Sequence, residues 1–197
     1  MPPGDYKVSL SKVSGGETEV LVEGEPFTLV PLEDRIMPTT DLAGKKAFQD
    51  DIAELSRQIS GSGRMISEVG DKLRHIKAAI EKTNVDSKKL HTAYQKVNKE
   101  MREIRTALYG DNIKTRLDID QPPTPAGRIG WIEYEQGSST APPTGTHKMS
   151  YQIAKDEFEP ILTRLRNLVN TDLESLEQML EDADAPYTPG RAIKMIE

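Results

Sequence analysis

Ile66-Ser67-Glu68-Val69-Gly70-Asp71-Lys72-Leu73-Arg74-His75-Ile76-Lys77-Ala78-Ala79-Ile80 sets apolar side chains at steps of three and four: Ile66, Val69, Leu73, Ile76 and Ile80. That spacing makes one face of an α-helix apolar. The same period runs outward in both directions. Upstream lie Ala47, Phe48, Ile52, Leu55 and Ile59; downstream lie Leu90, Tyr94, Val97, Met101, Ile104 and Leu108. Narrow seams of this kind pack as in coiled coils. The short link Thr83-Asn84-Val85-Asp86 predicts that the two helices it joins form an antiparallel hairpin. Pro38-Thr39-Thr40-Asp41 is a start signal with Thr40 or Asp41 as cap, Asp86 or Ser87 caps the next helix, and Gly110 is a stop. Gly61-Ser62-Gly63 predicts a break or bend.

A last helix is expected from about Thr146 to Glu181. Phe158, Leu162, Leu165, Val169, Leu173, Leu176 and Leu180 form its seam, widened by Ile161, Leu168 and Met179. Pro160 lies inside this pattern and predicts a kink or a fresh helix start. Residues 110–147 read as a long Pro-rich excursion, because Gln121-Pro122-Pro123-Thr124-Pro125 and Ala141-Pro142-Pro143-Thr144-Gly145 interrupt regular structure. Within it, Gly127 to Tyr134 reads as a short extended segment.

The first residues follow a period of two. Tyr6, Val8 and Leu10 alternate with Lys7 and Ser9, and Val20 and Val22 alternate after Ser14-Gly15-Gly16-Glu17. This is a β-hairpin with a tight glycine turn, and Pro26 marks a bulge or an edge. A lone hairpin is marginal in water, so its apolar face must pack on helices or on further strands. The expected fold is therefore mainly α: an antiparallel bundle of about four helices over residues 37–197, preceded by a hairpin over 1–36.

Composition narrows the function classes. The 197 residues hold 26 Lys+Arg and 32 Asp+Glu and no cysteine. The acidic total argues against nucleic-acid binding, and the absence of cysteine removes disulfides, thiolate nucleophiles and cysteine zinc sites. No apolar run approaches a membrane span, and the N-terminus has no signal-peptide pattern. Residues 41–109 carry 14 basic and 10 acidic side chains, residues 148–197 carry 6 and 10, so the two helical blocks attract.

Chemistry-bearing side chains are scattered. His75, His91 and His147 make no metal motif. Asp118 and Asp120 lack the glycine and distal glutamate of a calcium loop. Ser60 to Gly63 is not followed by the Gly-Lys-Ser/Thr of a phosphate loop. Lys88, Lys89, Lys96, Lys99, Arg102 and Arg105 are interleaved with Glu100 and Glu103 and lack stacking aromatics. Met65, Met101, Met149 and Met179 fit core or near-core spacing. No catalytic residue, cofactor site or metal site is expected. Arg128, Trp131 and Tyr134 form the candidate contact surface; the competing role is that Trp131 and Ile132 pin the excursion to the bundle.

Three word-like stretches carry a resemblance. They are Met37-Pro38-Thr39-Thr40-Asp41-Leu42-Ala43-Gly44-Lys45-Lys46-Ala47-Phe48-Gln49-Asp50, then Gly127-Arg128-Ile129-Gly130, then Ala185-Pro186-Tyr187-Thr188-Pro189-Gly190-Arg191; Pro3-Gly4-Asp5-Tyr6-Lys7-Val8 looks like a late strand of an immunoglobulin-like sandwich. In this order they resemble the C-terminal region of bacterial sortilin-like BNR/Asp-box repeat proteins, often labelled glycosyl hydrolases. The resemblance implies a propeller and an immunoglobulin-like portion ahead of a helical segment, with residues 5–31 as the sandwich's last strands. It also implies export, to the periplasm, the cell surface or the medium. No Asp-box is present here, so no catalytic residue carries over. The expected function is a non-catalytic accessory module docking on the propeller or another protein. The alternatives are a helical oligomerisation module and a carbohydrate-binding or hydrolytic unit.

Overall fold

The computed structural model describes residues 3–30, 41–83 and 87–191. Strands β1 (Gly4–Ser14) and β2 (Glu17–Leu29) form an antiparallel hairpin. Helices α1 (Leu42–Glu81), α2 (Ser87–Tyr109), α3 (Asn112–Arg116), α4 (Pro125–Ser138) and α5 (Gly145–Asn167) follow. A π turn (Leu168–Leu173) leads into α6 (Glu174–Asp182). The chain is mainly helical, as its periodicity predicts.

The long helices stand in three columns. α1 is the first and, at 40 residues, spans about 60 Å. α2 runs back beside its second half until the Tyr109 hydroxyl reaches the Ile59 carbonyl, 3.4 Å away. α4 continues that direction beside the first half of α1: Ser56 Oγ donates to Glu133 at 3.2 Å and Gln49 Nε2 to the Gln136 carbonyl at 3.1 Å. α5, the π turn and α6 return as the third column, with Tyr151 edge-on to Phe48 and Lys72 paired with Glu177 at 3.1 Å. One continuous core runs from Phe48 to Ala185, and Ile104, Leu108, Ile132, Leu165, Leu168 and Leu180 are wholly buried in it.

Several boundaries differ from the sequence expectation. Asp41 caps α1 as predicted, accepting from Gly44 N at 2.7 Å. The cap expected at Asp86 or Ser87 lies outside the described residues and side chains. The expected break at Gly61–Gly63 does not occur: α1 runs through it. Ile59, Ser62 and Ile66 are all buried there, so packing on both sides outweighs the glycine cost of about 1 kcal/mol each. Gly63 has a further role, because a Cβ there would collide with the Tyr109 hydroxyl. At Gly70 a Cβ meets nothing within 4 Å. Gly70→Ala is expected to raise stability by about 0.5–1 kcal/mol. Gly63→Ala gains the same propensity but must expel Tyr109, so it gains less or loses. Paired urea melts check the contrast, and equal gains would mean that Tyr109 does not pack on α1.

The residues read as an extended segment, Gly127 to Tyr134, are helical in α4. Thr124 caps this helix by accepting from Gly127 N, and Pro125 occupies the first turn, where no amide donor is needed. The prolines of 122–125 thus start a helix rather than exclude one. Pro160 likewise does not begin a new helix; α5 passes through it. It faces a hollow shared with Ala107, Gly110 and Pro122, where the second column is interrupted.

The hairpin stands apart from this core. Gly15 (φ 61°) and Gly16 (φ 87°) make the turn, where two successive positive φ values match the strand twist. Tyr6 pairs with Phe27 and their rings stack at 5.7 Å; Val8 pairs with Glu25 and Leu10 with Val22 across two register shifts. By that register one face collects Tyr6, Val8, Leu10, Val22 and Phe27, while the bulges in β2 turn Val20, expected beside Val22, to the opposite face with Ser11 and Val13. All of these except the half-buried Tyr6 are exposed, and the sheet has two strands among the described residues.

Candidate functional site

α4 and the start of α5 enclose a cleft of about 430 Å³. Arg128 and Trp131 line it from α4 and Met149 and Ile153 from α5, with Pro123 also in its lining. Helical phase explains the arrangement. Ile129, Ile132 and Gln136 fall on the inward face of α4 and are buried, which turns Arg128 and Trp131 outward one step to the side. Trp131 keeps 45% of its surface exposed and Met149 keeps 66%.

The three expected surface residues separate. Arg128 and Trp131 line the cleft, while Tyr134 is not part of its lining and is 72% exposed. The pinning role divides too: Ile132 anchors α4 with no exposed surface, and Trp131 does not. Met149 was expected at core spacing and instead forms a wall of the cleft. Met65 is also exposed, whereas Met101 and Met179 do pack on the core. The wall from α5 was missed because it depends on α4 being a helix.

Two polar features shape the cleft. His147 holds Trp131 edge-on at 5.2 Å between ring centres. Its Nδ1 accepts from Thr144 N at 3.3 Å and lies 2.8 Å from Gln136 Nε2, while Thr144 Oγ1 accepts from His147 N. This is a capping box with histidine in the usual glutamate place, and it fixes the indole against the start of α5. The second feature is Arg128. Its guanidinium makes no hydrogen bond with any described residue, its Nε is buried without an acceptor, and the nearest carboxylate, Glu157, is 3.8 Å from Nε. A guanidinium presents five donors in a fixed fork and is costly to leave unmatched.

The remaining candidates resolve into structure. His75 is exposed on α1. Asp50 pairs with Lys46, and the Glu54 carboxyl is held below its ordinary range chiefly by Gln58, then by Arg57. Of the basic residues on α2, Lys96 pairs with Asp172 at 3.0 Å and Lys99 with Glu103. Arg164 crosses in the opposite sense to Glu100 at 2.8 Å and Glu103 at 3.2 Å, and the Glu100 hydrogen bond pushes its guanidinium above the usual range. Among the described residues no group of three His, Asp or Glu side chains is placed to hold a metal ion, and no helix is long and apolar enough to cross a membrane. No family model, curated protein or solved structure matches the chain.

Proposed function

We propose that the chain is a non-catalytic accessory module that docks on further β-structure through its hairpin. One observation carries this. The helices close a complete core of their own, while the hairpin exposes an apolar face of Val8, Leu10, Val22 and Phe27 outside it. Four exposed side chains on one face of two strands are too many for a free surface and too few for an independent sheet. They suit one layer of a sandwich that lacks its second layer. The sequence resemblance supports a specific setting, the C-terminal region of an exported sortilin-like BNR-repeat protein. There the missing layer belongs to the immunoglobulin-like portion, and any hydrolytic site belongs to the propeller.

Amide hydrogen exchange on the isolated chain, with light scattering on the same sample, tests this. A monomer is expected in which amides of 5–29 exchange as in open chain while those of α1 and α5 are protected. A monomer with a protected hairpin would overturn the proposal, because the strands would then need no cover. A dimer with a protected hairpin would replace it with the self-association reading.

A further inference from the structure

We propose that the α4/α5 cleft binds a linear peptide of a partner protein at a place where an apolar side chain stands next to an aspartate or glutamate. The apolar side chain fits between Trp131, Met149 and Ile153, and the carboxylate accepts from the Arg128 guanidinium. This deepens the docking reading at a second surface; it does not depend on what covers the hairpin.

Three observations select this occupant. The cleft is of the size that admits one or two side chains rather than a helix. Its walls are apolar, and Trp131 and Met149 are exposed there, although Ile129 and Ile132 beside them show that this helix has room to bury what it needs. Such a wall pays back only when something apolar covers it. Arg128 then decides the sign of the partner. Its fork is unbonded and only one long contact, to Glu157, balances it. A carboxylate can take two parallel N–H donors, which Glu157 at 3.8 Å does not. A neutral sugar would use the indole face but offer the guanidinium fork no charged acceptor, and a lysine in place of the carboxylate would be repelled by it.

The chain's single tryptophan is Trp131, so tryptophan emission excited beyond the tyrosine absorption band reads this cleft. The probes are blocked hexapeptides differing at two central positions: Leu-Glu, Leu-Gln, Ala-Glu and Leu-Lys. Leu-Glu is expected to shift the emission saturably in the micromolar-to-millimolar range. Changing Glu to Gln, or Leu to Ala, is expected to weaken binding about tenfold. Arg128→Gln should lower Leu-Glu affinity to that of Leu-Gln while leaving Leu-Gln itself unchanged. That coupling separates a direct contact from a general loss of fold, and α-helical circular dichroism of the variant confirms that the bundle is intact. No saturable change with any peptide up to about 10 mM would overturn the proposal. So would equal affinity for Leu-Glu and Leu-Gln, a preference for Leu-Lys, or a response to neutral oligosaccharides alone. A negative result here leaves the hairpin exchange test unaffected, and a protected hairpin leaves this test unaffected.

Discussion

Arg191→Ala is expected to lower unfolding stability by about 3 kcal/mol, among the larger effects of any single substitution in this chain. Past α6 the chain turns at Asp184, whose φ is 47°, and Ala185 N donates back to the Leu180 carbonyl at 3.0 Å. The turn brings Arg191, nearly buried, under the end of the helix. Its Nε donates to Glu181 Oε1 at 2.6 Å, Nη1 to the Pro186 carbonyl at 3.1 Å and Nη2 to the Ala185 carbonyl at 3.1 Å. One fork thus satisfies two loop carbonyls and a carboxylate together, which no ammonium can reproduce. Alanine leaves both carbonyls without this donor and unpacks Ala185 from the core. Arg191→Lys keeps the charge but only one point of donation, so about half the loss is expected. Denaturant midpoints measure both. If both variants melted within about 0.5 kcal/mol of the parent, the loop would not be docked in solution. The clamp also gives a physical reason for two parts of the run Ala185 to Arg191: the Ala185 and Pro186 carbonyls are the acceptors, and Arg191 the donor.

Much of the fold was legible because burial repeats at a fixed period. The seam from Ile52 to Ile80 and the seam from Leu90 to Leu108 are buried at the predicted positions, with Tyr94 and Met101 packed at the edge. The face of the last helix was legible along its length, but its centre lies one step to the side in the middle. Ile161 and Leu168, expected to widen the stripe, are its buried centre, and Leu162 and Val169, expected at the centre, pack half-buried at its edge. The actual inward set steps from Phe158 to Ile161, Leu165, Leu168, Leu173, Leu176 and Leu180. The step of five, Leu168 to Leu173, is the π turn, and a reading confined to steps of three and four slides past it. Glycine and proline report local cost, whereas Gly63 and Pro125 sit where packing or a helix start needs them. The candidate cleft was half legible: Arg128 and Trp131 were singled out by type, but their partners on α5 follow only once α4 is helical.

Ile132→Ala and Trp131→Ala form the second large contrast, and the smaller side chain is expected to matter more for stability. An extended segment would make residues 131 and 133 equivalent and set 132 opposite them. A helix instead aligns Ile129, Ile132 and Gln136, and those three are the buried ones. Ile132 has no exposed surface and joins α4 to the common core, so its truncation leaves a cavity that three columns border. A cost of about 3–4 kcal/mol is expected, near the middle of the range for Ile→Ala in a core. Trp131 is nearly twice as large, yet 45% of it faces water and its one ring partner is His147. Its truncation removes an edge contact and part of one apolar wall, for which about 2 kcal/mol is expected. Chemical denaturation of the two variants measures the difference directly. If Trp131→Ala cost as much as Ile132→Ala, the indole would be an anchor, and the exposed wall on which peptide binding depends would not exist. If Ile132→Ala were mild, α4 would not be docked, and the cleft would lose one of its two sides. Only a large loss at 132 beside a smaller one at 131 leaves an indole that the fold does not need and a partner can use.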